Sequence, residues 1–286
     1  MNYKNRRVFV VVLNYNGKAT IISCLKHIYA SKYPNFEVVV VDNASFDGSL
    51  ELAKKNFSRA HFIINGKNSG FSAGMNLGIR FSLEKGADDI LLVNNDAFLS
   101  PNTIKELSFA QKKYGPGVYS PKILFPNGSI WFSYGKIDWF RLRAIHEDNK
   151  INKDCYPSDY VPGCVMLVSK EVYKKIGLFD ERFFLYYEDV DFCFRSKNAG
   201  FGVYVVSKNS IVHEEVSESN KPKKTYFLIR SGNLFFHKNM SLLWRPWLYI
   251  FQIVRKIKSG YLFRGNSNNA MIRSVYLAIR SLPYEE

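Results

Sequence analysis

Four short apolar runs, each followed by polar residues and a longer segment, organise the first hundred residues. The runs are residues 8–13, 36–41, 60–65 and 90–93. Short runs that are mostly apolar are typical of strands buried on both faces of a parallel sheet. The segments between them, one ending near Tyr29 and one near Lys85, are long enough for helices. The pattern predicts an α/β fold with a mostly parallel central sheet and helices on both faces.

The pattern changes in the middle of the chain, where turn residues separate shorter apolar runs. Residues 118–125 and 130–137 flank an Asn127-Gly128 pair, which predicts a β-hairpin. Residues 141–160 are polar and are predicted to form a loop. Residues 165–168 and 202–206 are again apolar and predict two more strands.

Three of the buried strands end in polar residues. Asn14, Tyr15 and Asn16 follow the first strand, Asp42 and Asn43 the second, and Asn95 and Asp96 the fourth. In open α/β sheets, ligands bind just beyond the carboxyl ends of the strands. A carboxylate there can hold a divalent cation, which in turn can bind a diphosphate. The same residue types also make turns and cap helices, so for Asp96 alone both interpretations stay open.

A glycine-rich segment, residues 68–78, precedes and enters the helix after the third strand. Gly70 and Gly74 would let a ligand approach the backbone, and a helix N-terminus favours an anion. Tight packing of the helix start on the sheet explains the glycines equally well. No Gly-x-Gly-x-x-Gly motif and no P-loop motif follows the first strand, which weighs against dehydrogenases and P-loop enzymes.

A pair of acids, Glu188 and Asp189, opens another predicted helix. The helix dipole stabilises acids in a first turn, and this alone would explain Glu188. An ionised acid at such a position beside a metal site is also suited to act as a general base. His213 ends a later strand, where the residues alone favour a structural histidine over a metal ligand.

The composition and the cysteine pattern indicate in which cellular compartment the protein works. A chain of 286 residues with 47% hydrophobic residues can build a large α/β core. Four scattered cysteines without a Cys-x-x-Cys pair argue against a zinc site or a disulfide framework and suit a reducing compartment. The basic start and the short apolar run after it do not resemble a signal peptide, and no apolar run is long enough for a membrane span. We therefore expect a cytoplasmic protein.

The positive charge is concentrated at the C-terminal end. Residues 221–286 contain twelve Lys or Arg residues and two Asp or Glu residues, which is +10 of the formal +15. Such a tail indicates an anionic partner, for which lipid headgroups, nucleic acid and a phosphorylated substrate are candidates; plain solubilising charge is the alternative. Residues 244–258 interleave Trp and Tyr with basic residues. This suits an interfacial helix at the inner face of the plasma membrane, or equally a helix packed on the core.

Taken together, these stretches resemble the inverting glycosyltransferase family 2, with the GT-A fold. The resemblance covers roughly residues 8–214. It rests on residues 13–17, 41–49, 68–78 and 94–96, on Gly163-Cys164, on Glu188-Asp189-Val190-Asp191 with Arg195, and on His213. The Tyr-Glu-Asp-Val-Asp pattern with a later histidine is most similar to bacterial rhamnosyltransferase-type members that build cell-surface polysaccharide.

The resemblance implies a metal-dependent enzyme that transfers a sugar from a nucleoside-diphosphate sugar, dTDP-rhamnose or a UDP-sugar, to a saccharide or lipid-linked saccharide. Asp96 matches the last acid of the family's Asp-x-Asp motif and would bind Mg²⁺ or Mn²⁺. Asn94 stands in place of the first acid, which leaves one carboxylate fewer. His213 would complete the metal site, and Asp189 matches the catalytic base.

The resemblance also implies binding residues and a division of the chain. The donor would contact Asn14, Tyr15, Asn16, Asp42, Asn43, Asn68, Gly70, Gly74, Asn76, Asn95, Asp96 and Gly163. The acceptor would contact Trp131, Tyr187 and Glu188. Residues 1–117 would form the nucleotide-sugar half of one domain, residues 118–216 its acceptor and catalytic half, and residues 217–286 a basic, aromatic, helical extension.

Two other function classes fit parts of the sequence. A sugar-phosphate nucleotidyltransferase shares the sheet layout, but it needs a glycine-rich loop with Arg and a catalytic Lys, which residues 14–18 do not supply. A basic nucleic-acid-binding protein could use the tail, but the acids gathered at the sheet edge would repel a phosphate backbone. We therefore expect no nucleic-acid partner, whereas the sequence leaves the oligomeric state open.

Overall fold

The structure, a computed structural model, describes residues 6–214 and 221–281. Its strands are β1 (Val8–Asn14), β2 (Phe36–Asp42), β3 (His61–Ile64), β4 (Asp89–Asn94), β5 (Ala97–Phe98), β6 (Gly117–Leu124), β7 (Ile130–Phe132), β8 (Tyr134–Asp138), β9 (Arg143–Glu147), β10 (Cys155–Pro157), β11 (Val165–Ser169) and β12 (Gly202–His213). Its helices are α1 (Ile21–Tyr29), α2 (Ser49–Asn56), α3 (Gly70–Glu84), α4 (Thr103–Tyr114), α5 (Lys170–Ile176), α6 (Glu188–Asn198), α7 (Lys221–Asn239), α8 (Arg245–Gly265) and α9 (Ala270–Arg280).

One mostly parallel sheet forms the centre of the described molecule, as the alternating pattern predicts. Its main path runs β10-β12-β6-β11-β4-β1-β2-β3, with β5 paired to β12 and β7 to β6. Strands β4, β1, β2 and β3 are mutually parallel, and β6 is parallel to β12. Strand β11 lies antiparallel between β4 and β6. The ends of β1, β2, β4 and β12 and the start of β11 therefore meet at one edge of the sheet.

The core lies on both faces of this sheet. Every residue of β4 from Asp89 to Val93 is buried, and β1 is buried over most of its length. Buried strands of this kind need helices on both sides, which explains why their sequences read as continuous apolar runs.

The predicted hairpin is present, but the polar segment after it is not a loop. Strands β6 and β7 pair antiparallel around the Asn127-Gly128 turn. Strand β8 then pairs with β9, and β10 extends the edge of the main sheet beside β12. The prediction of a loop over residues 141–160 was wrong because none of the residues of β9 is buried, so this strand has no apolar pattern to reveal it.

The basic C-terminal segment is helical, and part of it belongs to the core. Helix α7 buries Phe235 and Phe236, whose rings pack against Trp139 and Tyr187. Helix α7 covers residues 221–239, within the segment that was expected to be helical. Within the described ranges, no helix combines the length and the apolar character needed to cross a membrane.

Candidate functional site

A cavity of about 540 Å³ opens at the edge where the strand ends meet. Seven of the residues singled out from the sequence line it: Asp96, Trp131, Gly163, Tyr187, Glu188, Asp189 and His213. They come from segments that are far apart in the chain, and the sheet topology brings them together. The acids predicted for metal binding and for proton transfer thus face one common space.

Asp96 and His213 form the polar pair at one wall of the cavity. Strand β12 pairs with β5, so that His213 lies opposite Ala97, and His213 Nε2 is 3.1 Å from Asp96 Oδ1. The Glu214 backbone N–H also donates to the Asp96 carbonyl at 3.0 Å. The residues alone favoured a structural histidine at position 213, whereas the family resemblance implied a metal ligand. The structure instead turns its imidazole toward the carboxylate with which it could share a metal ion.

Asp96 and His213 alone are too few ligands for Mg²⁺ or Mn²⁺, so that other ligands are needed as well. A carboxylate oxygen and an imidazole nitrogen side by side can both bind such an ion. In the part of the chain that the structure describes, no group of three or more His, Cys, Asp or Glu side chains is placed to hold a metal. An ion here would therefore need oxygen atoms from a ligand, such as a diphosphate, and water.

Trp131 stands behind this pair and is packed between two histidines. Its ring meets His213 edge to face at 5.0 Å and His146 at 4.6 Å. His146 belongs to β9 and also lines the cavity. No pattern in the sequence pointed to His146, because this residue lies in the segment predicted to be a loop.

Asp189 lines the same cavity from the start of α6. Its Oδ2 accepts a hydrogen bond from the Gly163 backbone N–H at 3.0 Å, and its Oδ1 accepts one from Val190 N–H at 2.8 Å. Burial raises the pKa of Asp189 in spite of these hydrogen bonds. A carboxylate of raised pKa is a stronger base than an exposed aspartate, so Asp189 is well suited to accept a proton.

Glu188, the neighbour of Asp189, differs from it in its surroundings. It is buried, and its Oε2 has no hydrogen-bond partner among the described residues. Burial and, second, the charge of Asp189 hold the pKa of Glu188 well above its usual range. Glu188 thus lines the cavity with a buried carboxyl oxygen whose hydrogen-bonding capacity no described residue uses.

A strained turn positions both acids. Tyr186 and Tyr187, directly before α6, have φ angles of 67° and 65°, in the left-handed region that residues other than glycine rarely occupy. The Tyr187 hydroxyl accepts a hydrogen bond from Ala144 N–H at 3.1 Å, and Ser231 Oγ of α7 donates to the Leu185 carbonyl at 2.8 Å. Contacts with β9 and α7 thus hold the turn in place. Tyr187 is consequently a buried residue that lines part of the cavity wall.

The polar strand ends of β1, β2 and β4 form a connected network beside the cavity. Asn14 Nδ2 donates to Asp42 Oδ1 at 2.8 Å, and Asn95 Nδ2 donates to Asn14 Oδ1 at 3.0 Å. The other Asp42 oxygen accepts from Ser45 N–H. Tyr15 is exposed at the same edge. These residues were predicted to gather on one edge of the sheet, and they do.

Some residues of the glycine-rich segment are explained by packing. A Cβ atom on Gly70, which has a φ of +82°, would lie 2.4 Å from the Phe184 carbonyl oxygen, and one on Gly74 would lie 2.7 Å from Leu13 Cδ1. The Asn68 side chain accepts hydrogen bonds from Asn43 Nδ2 and Gly70 N–H. Of the two interpretations left open for the glycines, these contacts support close packing.

Asn76 lies away from the cavity. Its amide donates to the Phe179 carbonyl and to Glu181, and its Oδ1 accepts from Phe179 N–H. Both ends of the side chain therefore hold the segment before α6 against α3, and the contact of Asn76 with the sugar donor stays a prediction. Lys224 and Leu228 of α7, in contrast, line the cavity. Neither was predicted as a site residue; the sequence indicated only a basic tail with an anionic partner.

The sequence profile called "Glycosyl transferase family 2" matches residues 9–177, more than half of the chain. The chain belongs to glycosyl transferase family 2. It is therefore a glycosyltransferase, and the resemblance inferred from the motifs is confirmed.

Curated relatives of known name come from bacteria and archaea. The chain is 28% identical over 246 residues to dTDP-rhamnosyl transferase RfbF of Shigella flexneri, covering 82% of this chain and 81% of that protein. It is 27% identical to the low-salt glycan biosynthesis hexosyltransferase Agl10 of Haloferax volcanii, covering 76% and 70%. It is 25% identical to the N-acetylglucosaminyl-diphospho-decaprenol L-rhamnosyltransferase of Mycobacterium tuberculosis, covering 74% and 78%.

Solved structures show the same fold at lower sequence identity. The mannosyltransferase PcManGT of Pyrobaculum calidifontis, in complex with GDP-Man and Mn²⁺, matches with a TM-score of 0.62 at 17% identity, covering 96% of this chain and 75% of that one. TarS of S. aureus matches with a TM-score of 0.58 at 18% identity, covering 92% of this chain but only 44% of TarS. The predicted GT-A fold is confirmed.

Proposed function

We propose that this glycosyltransferase moves a rhamnosyl group from dTDP-rhamnose to a saccharide hydroxyl, with inversion at the anomeric carbon. The observation that carries the proposal is the cavity itself, in which Asp189 faces the same space as the Asp96–His213 pair. Two of the three curated relatives carry rhamnosyl transfer in their names, which supports the choice of sugar. A hexosyl group from a UDP-sugar is the second choice, since the third relative is a hexosyltransferase.

The donor would lie along the edge of the sheet. Asp42, held by Asn14 and close to the exposed Tyr15, suits contacts with the base and ribose at the ends of β1 and β2. The diphosphate would then point toward the ends of β4 and β12. This places the anomeric carbon in the cavity between the Asp96–His213 pair and Asp189.

A divalent cation fits the Asp96–His213 pair and would neutralise the negative charge that develops on the leaving diphosphate. The Mn²⁺ in the PcManGT complex supports a role for a metal in this fold. Asp96→Ala should weaken nucleoside-diphosphate binding in the presence of Mn²⁺ and leave binding without metal unchanged. Isothermal titration measures both, independently of turnover; equal Mn²⁺ enhancement in the variant would contradict the metal role.

Asp189 performs the proton transfer in this scheme. It accepts the proton of an acceptor hydroxyl while that oxygen forms a bond to the anomeric carbon. The bond between that carbon and the diphosphate oxygen breaks on the opposite face, so the configuration inverts. The Gly163 N–H holds Asp189 in position, and the unpartnered Glu188 oxygen would bind a hydroxyl of the acceptor.

A donor screen tests the proposal directly. The wild-type protein is combined with Mn²⁺ and with dTDP-rhamnose, UDP-glucose, UDP-N-acetylglucosamine or GDP-mannose, and thermal shift reports binding. Lipid-linked N-acetylglucosamine is then offered as acceptor, and NMR reads the anomeric configuration of the product. We expect the largest shift with dTDP-rhamnose and an inverted linkage. A preference for GDP-mannose, or a retained configuration, would overturn the assignment.

A further inference from the structure

Helix α8 carries its apolar residues on the side that faces away from the protein. Its inward side buries Leu248 together with the polar Gln252 and Ser259, which are 5% and 4% exposed. The outward side presents Ile250, Ile253, Val254, Ile257 and Tyr261, with exposed fractions between 54% and 79%. We call these five residues the α8 apolar face. Their spacing of three and four residues places them on one stripe of the helix.

A helix on a water-facing surface normally points its apolar stripe at the core. Helix α8 has its apolar stripe on the opposite, outward side. Helix α8 is nevertheless held to the rest of the molecule. Trp247 Nε1 donates to the Phe140 carbonyl at 2.8 Å, and the two rings stack at 4.9 Å. The apolar stripe is therefore presented outward by a helix whose other side is fixed. The exposed Leu242 and Leu243, just before α8, add to it.

The surroundings of the α8 apolar face are strongly basic. A groove of about 370 Å³ between α8 and α9 shares Ile257 and Tyr261 with the face, and Lys256, Arg264 and Arg280 line it. Residues 221–284 contain no Asp or Glu. The face is thus bordered by a pocket in which an anionic headgroup could lie among three cationic side chains.

We propose that the α8 apolar face is a membrane-docking surface that lies in the headgroup region of an anionic bilayer. The apolar side chains enter the boundary between headgroups and acyl chains, and the basic groove receives a lipid phosphate. An apolar stripe combined with basic flanks is the physical requirement for such binding. The proposal is independent of the sugar donor, because vesicle binding needs no nucleotide.

A second copy of the chain would bind the α8 apolar face less favourably than an anionic bilayer does. Two α8 faces meeting around a twofold axis would bring their basic borders together, and α8 and α9 offer no acids to compensate. Like charges in an interface cost binding free energy. An anionic bilayer supplies both the apolar interior and the opposite charge.

Vesicle co-sedimentation of the full chain tests the docking surface. We compare phosphatidylcholine vesicles with vesicles that also contain phosphatidylglycerol, at low and at high salt. Wild type should bind the anionic vesicles, more weakly at high salt. Ile253→Glu combined with Ile257→Glu should lower the vesicle partition coefficient about tenfold or more. Lys256→Gln combined with Arg264→Gln, two residues of the basic groove, should lower it about fivefold or more on anionic vesicles.

Two matched controls separate the surface from general effects of charge. Ile64→Glu with Phe109→Glu makes the same change at two other exposed apolar positions, and Lys105→Gln with Lys112→Gln removes two exposed lysines from α4. Both controls should bind vesicles as wild type does. Equal vesicle binding by wild type and the α8 variants, or no binding by wild type, would overturn the proposal. A dimer in sedimentation velocity that Ile253→Glu with Ile257→Glu dissociates, without vesicle binding, would assign the face to self-association instead.

Discussion

Glu188 and Asp189 show how two neighbouring acids acquire different properties. Asp189 receives two backbone hydrogen bonds, whereas one oxygen of Glu188 has no partner in the described chain. Burial raises the pKa of both groups. The two backbone hydrogen bonds favour the ionised form of Asp189. The lack of a hydrogen bond to one Glu188 oxygen favours the neutral form of Glu188. At the residue scale, one acid is thus suited to accept a proton and the other to bind a hydroxyl.

Asp189→Asn removes the proposed base and keeps the shape of the side chain. We expect kcat to fall about 10²–10⁴-fold while the nucleoside-diphosphate Kd stays unchanged, because a positioned base contributes to the chemical step alone. Steady-state kinetics and isothermal titration provide the two values. Asp154→Asn, at an exposed position, serves as the control and should keep wild-type kcat. A near-normal kcat in Asp189→Asn would show that another group accepts the proton.

Glu188→Gln tests the pKa shift through stability. The folded protein holds the Glu188 proton at pH values where the unfolded chain releases it, so unfolding releases a proton and rising pH favours unfolding. The contribution of protonated Glu188 to the stability of the folded protein is fully present below the pKa of glutamate in the unfolded chain, near 4.5. It is lost as the pH rises through the raised pKa of Glu188 in the folded protein. The variant should therefore have a higher Tm than wild type at neutral pH, and the difference should shrink in acid.

Thermal melts across this pH range measure the effect. Glu84→Gln, an exposed glutamate at the end of α3, should show no such pH-dependent difference. A Glu188→Gln variant that is less stable than wild type at neutral pH would mean that the carboxylate is ionised and partnered in solution.

At the scale of elements, close approach of α3 to the sheet explains much of the glycine-rich segment. A Cβ atom on Gly78 would lie 2.3 Å from Val11 Cγ1 and 2.9 Å from Val41 Cγ2. Helix α3 can therefore lie directly on β1 and β2 only because this position has no side chain. The same closeness holds the loop of Gly70 against the segment that leads into α6. One glycine-rich helix thus links the ends of β1 and β2 to the segment that leads to Asp189.

Gly78→Ala should destabilise the fold by about 1–3 kcal/mol, because a new methyl group would overlap β1 even though alanine favours helix. Urea unfolding measures the change. Gly66→Ala is the matched control, since a Cβ there meets no atom within 4 Å. That variant should stay within about 0.5 kcal/mol of wild type. Equal stability of the two variants would contradict the packing explanation.

At the scale of the whole molecule, α7 joins the C-terminal segment to α6, the helix that begins with Glu188 and Asp189. Lys238 Nζ donates to Asp180 at 2.7 Å and to the buried Asp191 at 2.9 Å. Phe235 is fully buried against Trp139 and Phe194. Residues 217–286 were predicted to be an extension; within that segment, α7 packs against the strained turn before α6.

Phe235→Ala should destabilise the protein by about 3–5 kcal/mol, since it leaves a cavity among aromatic rings. Chemical unfolding gives the value, and a lowered kcat should accompany it because α7 supports the turn that positions Asp189. Leu243→Ala removes a side chain that is 91% exposed and should change stability by less than about 0.5 kcal/mol. A mild effect of Phe235→Ala would show that α7 is dispensable for the core.

The predictions that succeeded depended on local information. The buried strands β1, β2 and β4, the polar residues at their ends and the acids that open α6 are each visible in a few consecutive residues. Hydrophobic periodicity and turn chemistry act over such short ranges, which is why these elements could be placed. Strand β9 and its His146 could not, because an exposed edge strand has no apolar pattern.

The sequence by itself therefore determined the alternating architecture, the family and most candidate residues of the site. Only the tertiary structure decided that His213 faces Asp96, that Asn76 and Gly74 serve packing, and that α8 turns its apolar side outward. Each of these outcomes depends on which distant segment packs against a residue. Such contacts are set by the path of the whole chain, and no short stretch of sequence contains them.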